Sequence, residues 1–169
     1  MNISLNWIKE FVNLPNIDVD DLANSFTMTT AEVEGVSTTL SHLKAIRVAQ
    51  IVSLEKHPEA DKLNLVTFNF GGKENKEVVC GAPNVRVGIK IPYAPLGTTL
   101  PNGMTLEPKK IRGYLSEGML CSEVELGLGE GASGLMELPE DAVIGTAMID
   151  FLGLDSDTIL DVDNKSLTH

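Results

Sequence analysis

Short runs of alternating apolar and polar residues, separated by turn residues, fill the middle of this 169-residue chain and constrain its fold most strongly. Gly71-Gly72 and Pro101-Asn102-Gly103 supply two of the turns, because glycine and asparagine tolerate the backbone angles that tight turns require. Several short strands at this spacing predict a small barrel or sandwich. The predicted strands span residues 45–54, 62–70, 76–80, 88–94 and 104–111, the last of them broken by Pro108.

The segments on either side of these strands follow a different pattern. Ser4 can cap a short helix that extends to Val12, and Asp18 can cap a second helix. We therefore predict a mainly β protein with short helices (α+β), in which a five-stranded OB barrel is inserted in a small N-terminal α/β unit. The predicted boundaries are 1–40 for the N-terminal unit, 41–150 for the barrel, and 151–169 for a segment that returns to pair with residues 32–40.

Composition is that of a folded protein. Apolar residues make up 43% of the chain, enough for a packed core, yet no apolar run approaches the roughly 20 residues of a membrane-spanning helix. The first residues lack the basic and apolar regions of a signal peptide, so a cytoplasmic location is expected. Cys80 and Cys121 form no Cys-x-x-Cys pair and have no histidine at zinc spacing, so buried reduced thiols are expected and no metal site.

The net charge of -11 argues against a general nucleic-acid binder, but the charge is unevenly distributed. Residues 1–40 carry a net charge of -5 and residues 126–169 a net charge of -8, whereas residues 41–125 carry +2 and eleven of the thirteen basic side chains. Any polyanion is therefore expected to meet the middle of the chain. A charge of +2 also fits a surface that is merely balanced.

Catalytic motifs are missing from the sequence. The three histidines, His42, His57 and His169, fit no metal-ligand pattern. The chain has no nucleophile elbow, no phosphate-binding loop and no complete dinucleotide-binding fingerprint. No catalytic residue and no cofactor is predicted for this segment.

Two segments supply candidate contacts with a polyanion. Lys62 lies in a turn that begins at Pro58, and Lys109, Lys110 and Arg112 form the densest basic cluster. On a strand, Lys110 and Arg112 would share one face and Lys109 would lie on the other. That face could follow a phosphate backbone. The same charges could instead protect an exposed strand edge from aggregation.

Aromatic side chains offer a second possible contact with nucleic acid. Phe68, Phe70 and Tyr93 fall in the predicted strands. OB folds use such rings to stack on bases. The alternative, which we favour, is that these three rings fill the core.

Several segments, in their order along the chain, resemble the N-terminal region of bacterial phenylalanyl-tRNA synthetase β subunits, including its inserted tRNA-binding (EMAP-like) OB-fold domain. The most specific are residues 109–113 (KKIRG) and 116–122 (SEGMLCS). That barrel motif also occurs in stand-alone tRNA-binding proteins and in methionyl-tRNA synthetases. Residues 3–12 (ISLNWIKEFV) and 80–84 (CGAPN) favour the phenylalanine enzyme.

The resemblance implies a class II ligase built as an (αβ)₂ heterotetramer. Its catalytic α subunit would join phenylalanine to its tRNA using ATP and Mg²⁺, and this segment would bind tRNA in an auxiliary role. Residues 164–169 depart from the family pattern, so the chain is expected to be an N-terminal fragment. The RNA contacts that the resemblance implies are Lys62, Asn84, Lys109, Lys110, Arg112 and Ser116.

Two other functions remain open at this point. The acidic net charge favours a barrel that packs against other domains of the synthetase and has little affinity for RNA. The barrel motif alone would also fit a stand-alone tRNA-binding chaperone that dimerises.

Overall fold

The computed structural model describes residues 1–131 and 133–163. Its strands are β1 (Asn2–Ser4), β2 (Glu32–Thr38), β3 (Arg47–Lys56), β4 (Asn64–Asn69), β5 (Lys76–Cys80), β6 (Lys90–Ala94), β7 (Lys109–Ile111), β8 (Tyr114–Ser116), β9 (Met119–Leu120) and β10 (Thr158–Asp163). The helices are α1 (Leu5–Lys9), α2 (Val19–Thr29), α3 (Glu123–Leu126) and α4 (Met148–Phe151), with a 3₁₀ turn at Ser41–Lys44. No helix in the described ranges is long and apolar enough to cross a membrane.

The chain forms two compact units. One contains Met1–Ser41 and the described residues from Asp155 onward, and the other is His42–Leu154. In the first unit, β10 lies between β1 and β2 and is antiparallel to both, with Leu160 opposite Ile3 and Val36. Residues 164–169, where the sequence departs from the family pattern, lie outside the described residues.

Both helices of the first unit start at the residues that the sequence predicts. The Ser4 hydroxyl accepts the N–H of Trp7, and the Asp18 carboxylate accepts the N–H of Asp20. These caps satisfy backbone donors that the first turn of a helix leaves without partners. A small apolar cluster of Leu5, Ala23, Leu160 and Val162 forms the centre of the unit.

The second unit is an OB-like barrel. Its five antiparallel strands have the order β5-β4-β3-β6-β9, so the long strand β3 pairs with both β4 and β6. The two outer strands approach each other where the Glu117 N–H donates to the Glu77 carbonyl at 3.0 Å. The Lys76 ammonium also lies 3.9 Å from a Glu117 carboxylate oxygen. The fold class predicted from the sequence is confirmed.

The side chains on the inward face of each strand fill the barrel. Along β4, Asn64, Val66 and Phe68 point inward, as a strand with one buried face requires. The Phe68 and Tyr93 rings pack 4.5 Å apart, and the Tyr93 hydroxyl donates to the Glu117 carbonyl at 2.7 Å. Phe68 and Tyr93 are buried and Phe70 packs half-buried against them, so these rings belong to the core, as predicted.

The prediction for residues 104–111 was wrong in most of its length. Only Lys109–Ile111 is a strand, and it pairs with Tyr114–Ser116 in a hairpin outside the five-stranded sheet. Pro108 lacks the N–H that a continuous ladder needs. The fifth barrel strand is instead the two-residue β9, which pairs with Tyr93 and Ala94.

Candidate nucleic-acid interface

Two loops meet at one end of the barrel. The first loop (57–63) joins β3 to β4, and the second loop (95–118) joins β6 to β9 and contains the β7–β8 hairpin. In OB folds, the two loops at these positions flank the face of the barrel that binds oligonucleotides. Strand β8 lies against β5, beside that face. The topology therefore brings Lys62 and the basic cluster of the hairpin to the expected binding edge.

The first loop is a tight turn closed by its own backbone. The N–H of His57 donates to the Leu63 carbonyl at 3.1 Å, and the N–H of Leu63 donates to the Ala60 carbonyl at 3.0 Å. His57 is buried, and its Nδ1 accepts the N–H of Glu59 at 3.1 Å. The turn leaves Lys62 exposed at the surface.

The β7–β8 hairpin turns at Arg112-Gly113. Both residues have a positive φ, 46° and 89°, which is the requirement of a two-residue type I′ turn. Arg112 therefore lies at the tip of the hairpin rather than on a strand. The prediction that strand alternation places Arg112 on the same face as Lys110 was wrong. Lys109 lies opposite Ser116, and Lys110 lies opposite Leu115. Neighbouring residues of a strand alternate in direction, so Lys109 and Lys110 point to opposite faces of the hairpin.

A ring contact joins the two loops. His57 of the first loop meets Tyr114 of the hairpin edge-on, with ring centroids 4.9 Å apart and planes inclined by 69°. Sequence analysis missed this pairing, because two residues 57 positions apart carry no signal of contact. Lys62, Lys109, Lys110 and Arg112 are all exposed, and none takes part in the ion pairs found among the described residues. Their charges are available to an external anion.

Ser116 is placed differently from the cations. It is only 7% exposed, and its hydroxyl donates to the Gly118 carbonyl at 3.1 Å. This hydrogen bond holds the chain between the hairpin and β9. The hydroxyl is thus engaged with the backbone and turned away from solvent.

Asn84 is likewise engaged within the barrel unit. Its amide donates to the Leu135 carbonyl and to the Glu137 carboxylate, and its carbonyl accepts the N–H of Leu135, at 2.9, 3.0 and 2.9 Å. The Arg86 guanidinium makes a bidentate salt bridge with the Glu137 carboxylate, with nitrogen–oxygen distances of 2.7 and 2.6 Å. The Arg86 guanidinium, followed by the Asn84 amide, lowers the pKa of Glu137. Asn84 therefore fastens residues 135–137 to the loop after β5.

We expect Asn84→Ala to destabilise the barrel unit by about 1–3 kcal/mol, because it leaves the N–H and C=O of Leu135 without partners. Denaturation by urea would measure this loss. If Asn84 only fastens the loop, RNA affinity at a temperature where the variant is folded stays at the wild-type value. A large loss of affinity in the folded variant would contradict this role.

A groove of about 470 Å³ opens beside the hairpin. Lys109 and Ile111 line it from the hairpin, and Glu125 lines it from α3. One Glu125 carboxylate oxygen accepts both the N–H and the hydroxyl of Ser122, at 2.6 and 2.8 Å, which completes a capping box. The remaining lining includes Cys80, Met104, Leu106, Glu107, Met119, Leu120 and Leu135.

Both cysteines are buried thiols without a disulfide. Burial raises the pKa of Cys121 to about 12, and it raises the pKa of Cys80 as well, with a smaller contribution from the Glu125 charge in each case. Neither thiol is activated as a nucleophile. No group of three or more His, Cys, Asp or Glu side chains in residues 1–131 and 133–163 could hold a metal ion.

Comparison with known proteins gives one family match and a set of relatives. Residues 46–147 match the family model described as "Putative tRNA binding domain". The chain is 44% identical over 163 residues to the phenylalanine–tRNA ligase β subunit of Pseudoalteromonas translucida, covering 96% of this chain and 20% of that protein. The corresponding subunit of Nitratidesulfovibrio vulgaris is 44% identical over 155 residues, covering 92% of this chain and 19% of that protein. The chain thus spans about a fifth of the length of these relatives.

Solved structures show a weaker likeness. The C-terminal domain of Plasmodium vivax p43 is 21% identical and covers 59% of this chain and 56% of that one, with a TM-score of 0.44. A protein related to methionyl-tRNA synthetase from Pyrococcus horikoshii is 25% identical, covering 59% of this chain and 84% of that one, with a TM-score of 0.43. The assignment of the fold depends on the strand pairing described above.

Proposed function

The chain belongs to the tRNA-binding domain family, and we propose that it is the auxiliary tRNA-binding part of a phenylalanine–tRNA ligase β subunit. The observation that carries this proposal is that the loop with Lys62 and the hairpin with Lys109, Lys110 and Arg112 meet at one end of the barrel through His57 and Tyr114. Identity to such β subunits extends over 96% of the chain and supports the same function.

Recognition proceeds mainly through phosphates in this proposal. Lys62, Lys109, Lys110 and Arg112 are exposed cations of the two loops, and Lys109 and Lys110 point to opposite faces of the hairpin. Each contact with a phosphate releases condensed counterions, so affinity would fall steeply as the salt concentration rises. Contacts of this kind position an RNA but read little of its sequence. The site would therefore raise the local concentration of tRNA rather than select it by its bases.

Asn84 and Ser116 have a positioning role in this proposal. Both side chains are held by backbone groups of the barrel unit. Asn84 fixes residues that line the groove, and Ser116 fixes the exit from the hairpin. Ser116 would thus keep the hairpin in place, Asn84 would hold residues 135–137, and neither would touch RNA.

The activity of the whole enzyme belongs to parts beyond this segment. We place the joining of phenylalanine to tRNA, with ATP and Mg²⁺, on a class II catalytic α subunit that pairs with the full-length β subunit as (αβ)₂ in the cytoplasm. The described residues offer no carboxylate cluster for Mg²⁺. This chain would contribute binding energy for tRNA and no group to the chemical step.

Two alternatives are less well supported. A stand-alone chaperone would not need the N-terminal unit, yet identity to β subunits extends over 163 of the 169 residues. A barrel that only packs against other domains would not require the four exposed cations of these loops, which form no ion pair with the residues that the structure describes.

The proposal is tested in the assembled ligase. We expect Lys109→Ala with Lys110→Ala, introduced into the full-length β subunit, to raise the KM for tRNA about tenfold or more. The kcat should stay within about twofold, because a binding contact remote from the chemistry acts on both the ground state and the transition state. Steady-state aminoacylation at several tRNA concentrations measures both constants. An unchanged KM, or a subunit that no longer assembles, would instead favour the packing module.

A further inference from the structure

Tyr114 stands apart from the other aromatic side chains of the barrel unit. Its side chain is 40% exposed, whereas Phe68 and Tyr93 are fully buried and Phe70 and Phe151 are half-buried. In the described part of the unit, it is the aromatic ring most accessible to a ligand. It projects from the hairpin that carries the basic cluster, one residue after the turn.

His57 holds this ring in place. Because Nδ1 of His57 accepts the N–H of Glu59, the proton of the neutral imidazole lies on Nε2. Nε2 is buried and has no hydrogen-bond partner in the described structure. A buried polar atom of this kind is costly. Besides its hydrogen bond at Nδ1, the imidazole makes an edge-on contact with the Tyr114 ring. Tyr114 is therefore ordered before any ligand arrives, which lowers the entropic cost of binding.

Strand pairing sets the neighbours of Tyr114. Its cross-strand partner is Ile111, and Lys109 lies two residues before Ile111, so all three side chains point to the same face of the hairpin. Lys109 and Ile111 are about 7 Å apart along the strand. One nucleotide could place its base on Tyr114 and its phosphate near Lys109.

The chemistry of the groove supports the entry of a base rather than a phosphate. Its walls are apolar and polar in nearly equal parts, as a base with an apolar face and polar edges requires, and its acidic groups, Glu107 and Glu125, would repel a phosphate. The N–H and the hydroxyl of Ser122 both donate to one carboxylate oxygen of Glu125, so the other oxygen can accept an N–H from the edge of a base. Lys109 lies at the junction of this groove and the stacking ring.

We infer that the β7–β8 hairpin binds an unpaired nucleotide of single-stranded RNA, with its base stacked on Tyr114 and the neighbouring base directed into the groove. This inference rests on the proposed function and names the kind of RNA that the site takes. A base inside a double helix is stacked on both sides and offers no free face to a tyrosine ring. The favoured ligand is thus a loop, a bulge or an unpaired end.

The test compares two probes and two variants. The probes are a fluorescein-labelled single strand of about 12 nucleotides, within the range that one OB fold covers, and the same strand annealed to its complement. Tyr114→Phe keeps the ring, and Tyr114→Leu removes it. We expect the wild type and Tyr114→Phe to prefer the single strand. Tyr114→Leu should bind that strand about five- to tenfold more weakly and the duplex unchanged.

A second readout separates stacking from a general loss of structure. A 2-aminopurine base in the single strand loses fluorescence when an aromatic ring stacks on it. Saturating wild-type protein should quench it, and saturating Tyr114→Leu should not. Because Tyr114→Leu also removes the ring contact with His57, both readouts are taken at a temperature at which far-UV circular dichroism shows the variant to be folded.

The outcomes distinguish the inference from the proposed function. Equal binding by Tyr114→Leu and wild type, or a preference for the duplex, would overturn the stacking site. If charge reversal at Lys110 and Arg112 still weakened binding in that case, the proposed function would stand without it. A wild-type chain that bound neither probe at low salt would overturn both.

Discussion

Lys110→Glu combined with Arg112→Glu should weaken tRNA binding by about 25- to 60-fold at ~0.1 M salt. Both residues are exposed on the hairpin and free of ion pairs among the described residues. Loss of two phosphate contacts reduces the magnitude of the slope of log affinity against log salt by about 1.4 on a single strand and about 1.8 on a duplex. Repulsion by the new carboxylates adds to this loss. Fluorescence anisotropy with labelled tRNA at several salt concentrations measures both affinity and slope.

The matched control is Lys44→Glu combined with Lys73→Glu, which changes the net charge by the same amount. Lys44 precedes β3 and Lys73 lies between β4 and β5, at the ends of these strands opposite to the first loop. We expect this pair to reduce affinity by less than about threefold at ~0.1 M salt, because surface charges beyond one Debye length are screened. Equal losses in the two double variants would show that net charge, and not the hairpin, governs binding.

Gly118→Ala should destabilise the barrel by at least about 3 kcal/mol, a large part of the stability of a domain this size. A Cβ at Gly118 would lie 2.5 Å from the Ala94 carbonyl oxygen and 2.6 Å from the Tyr93 ring. The φ of +126° adds backbone strain. Relief would require β9 to move away from β6, which opens the barrel where Tyr93 bonds to Glu117. Urea denaturation followed by far-UV circular dichroism measures the loss.

Gly88→Ala is the control that separates the cost of backbone strain from the cost of the steric clash at Gly118. Gly88 also has a positive φ, +93°, but nothing lies within 4 Å of the Cβ that alanine would add. We expect a cost of only about 1–2 kcal/mol there, from the backbone alone. If Gly118→Ala cost no more than Gly88→Ala, the close approach of Gly118 to Ala94 would not be required for barrel closure.

The barrel strands were predictable because local pattern and final pairing agree. Residues 45–54, 62–70 and 88–94 alternate or bulge as half-buried strands do, and every end of β3, β4 and β6 lies within two residues of these bounds. The fifth strand was not predictable. Its two residues, Met119 and Leu120, are too few to show a period, and they are set by pairing with β6.

The site was predictable in composition but not in geometry. The basic residues at 62 and 109–112 could be read from the sequence, and the order of the OB strands brings their loops together. The positive φ of Arg112 could not be read, because Arg-Gly is a weaker hairpin signal than Asn-Gly. The engagement of Asn84 and Ser116 with backbone groups depends on chain segments that come together only in the fold.

Titration of this chain with phenylalanine tRNA at several salt concentrations is the most direct test of the central claim. The account predicts binding that weakens steeply with salt, with a slope of log affinity near -3 to -4 for about four phosphate contacts. It also predicts that the slope is less steep, and so closer to zero, in the Lys110→Glu, Arg112→Glu variant. Absence of binding at low salt, or binding with no dependence on salt, would contradict a phosphate-tracking tRNA site at these two loops.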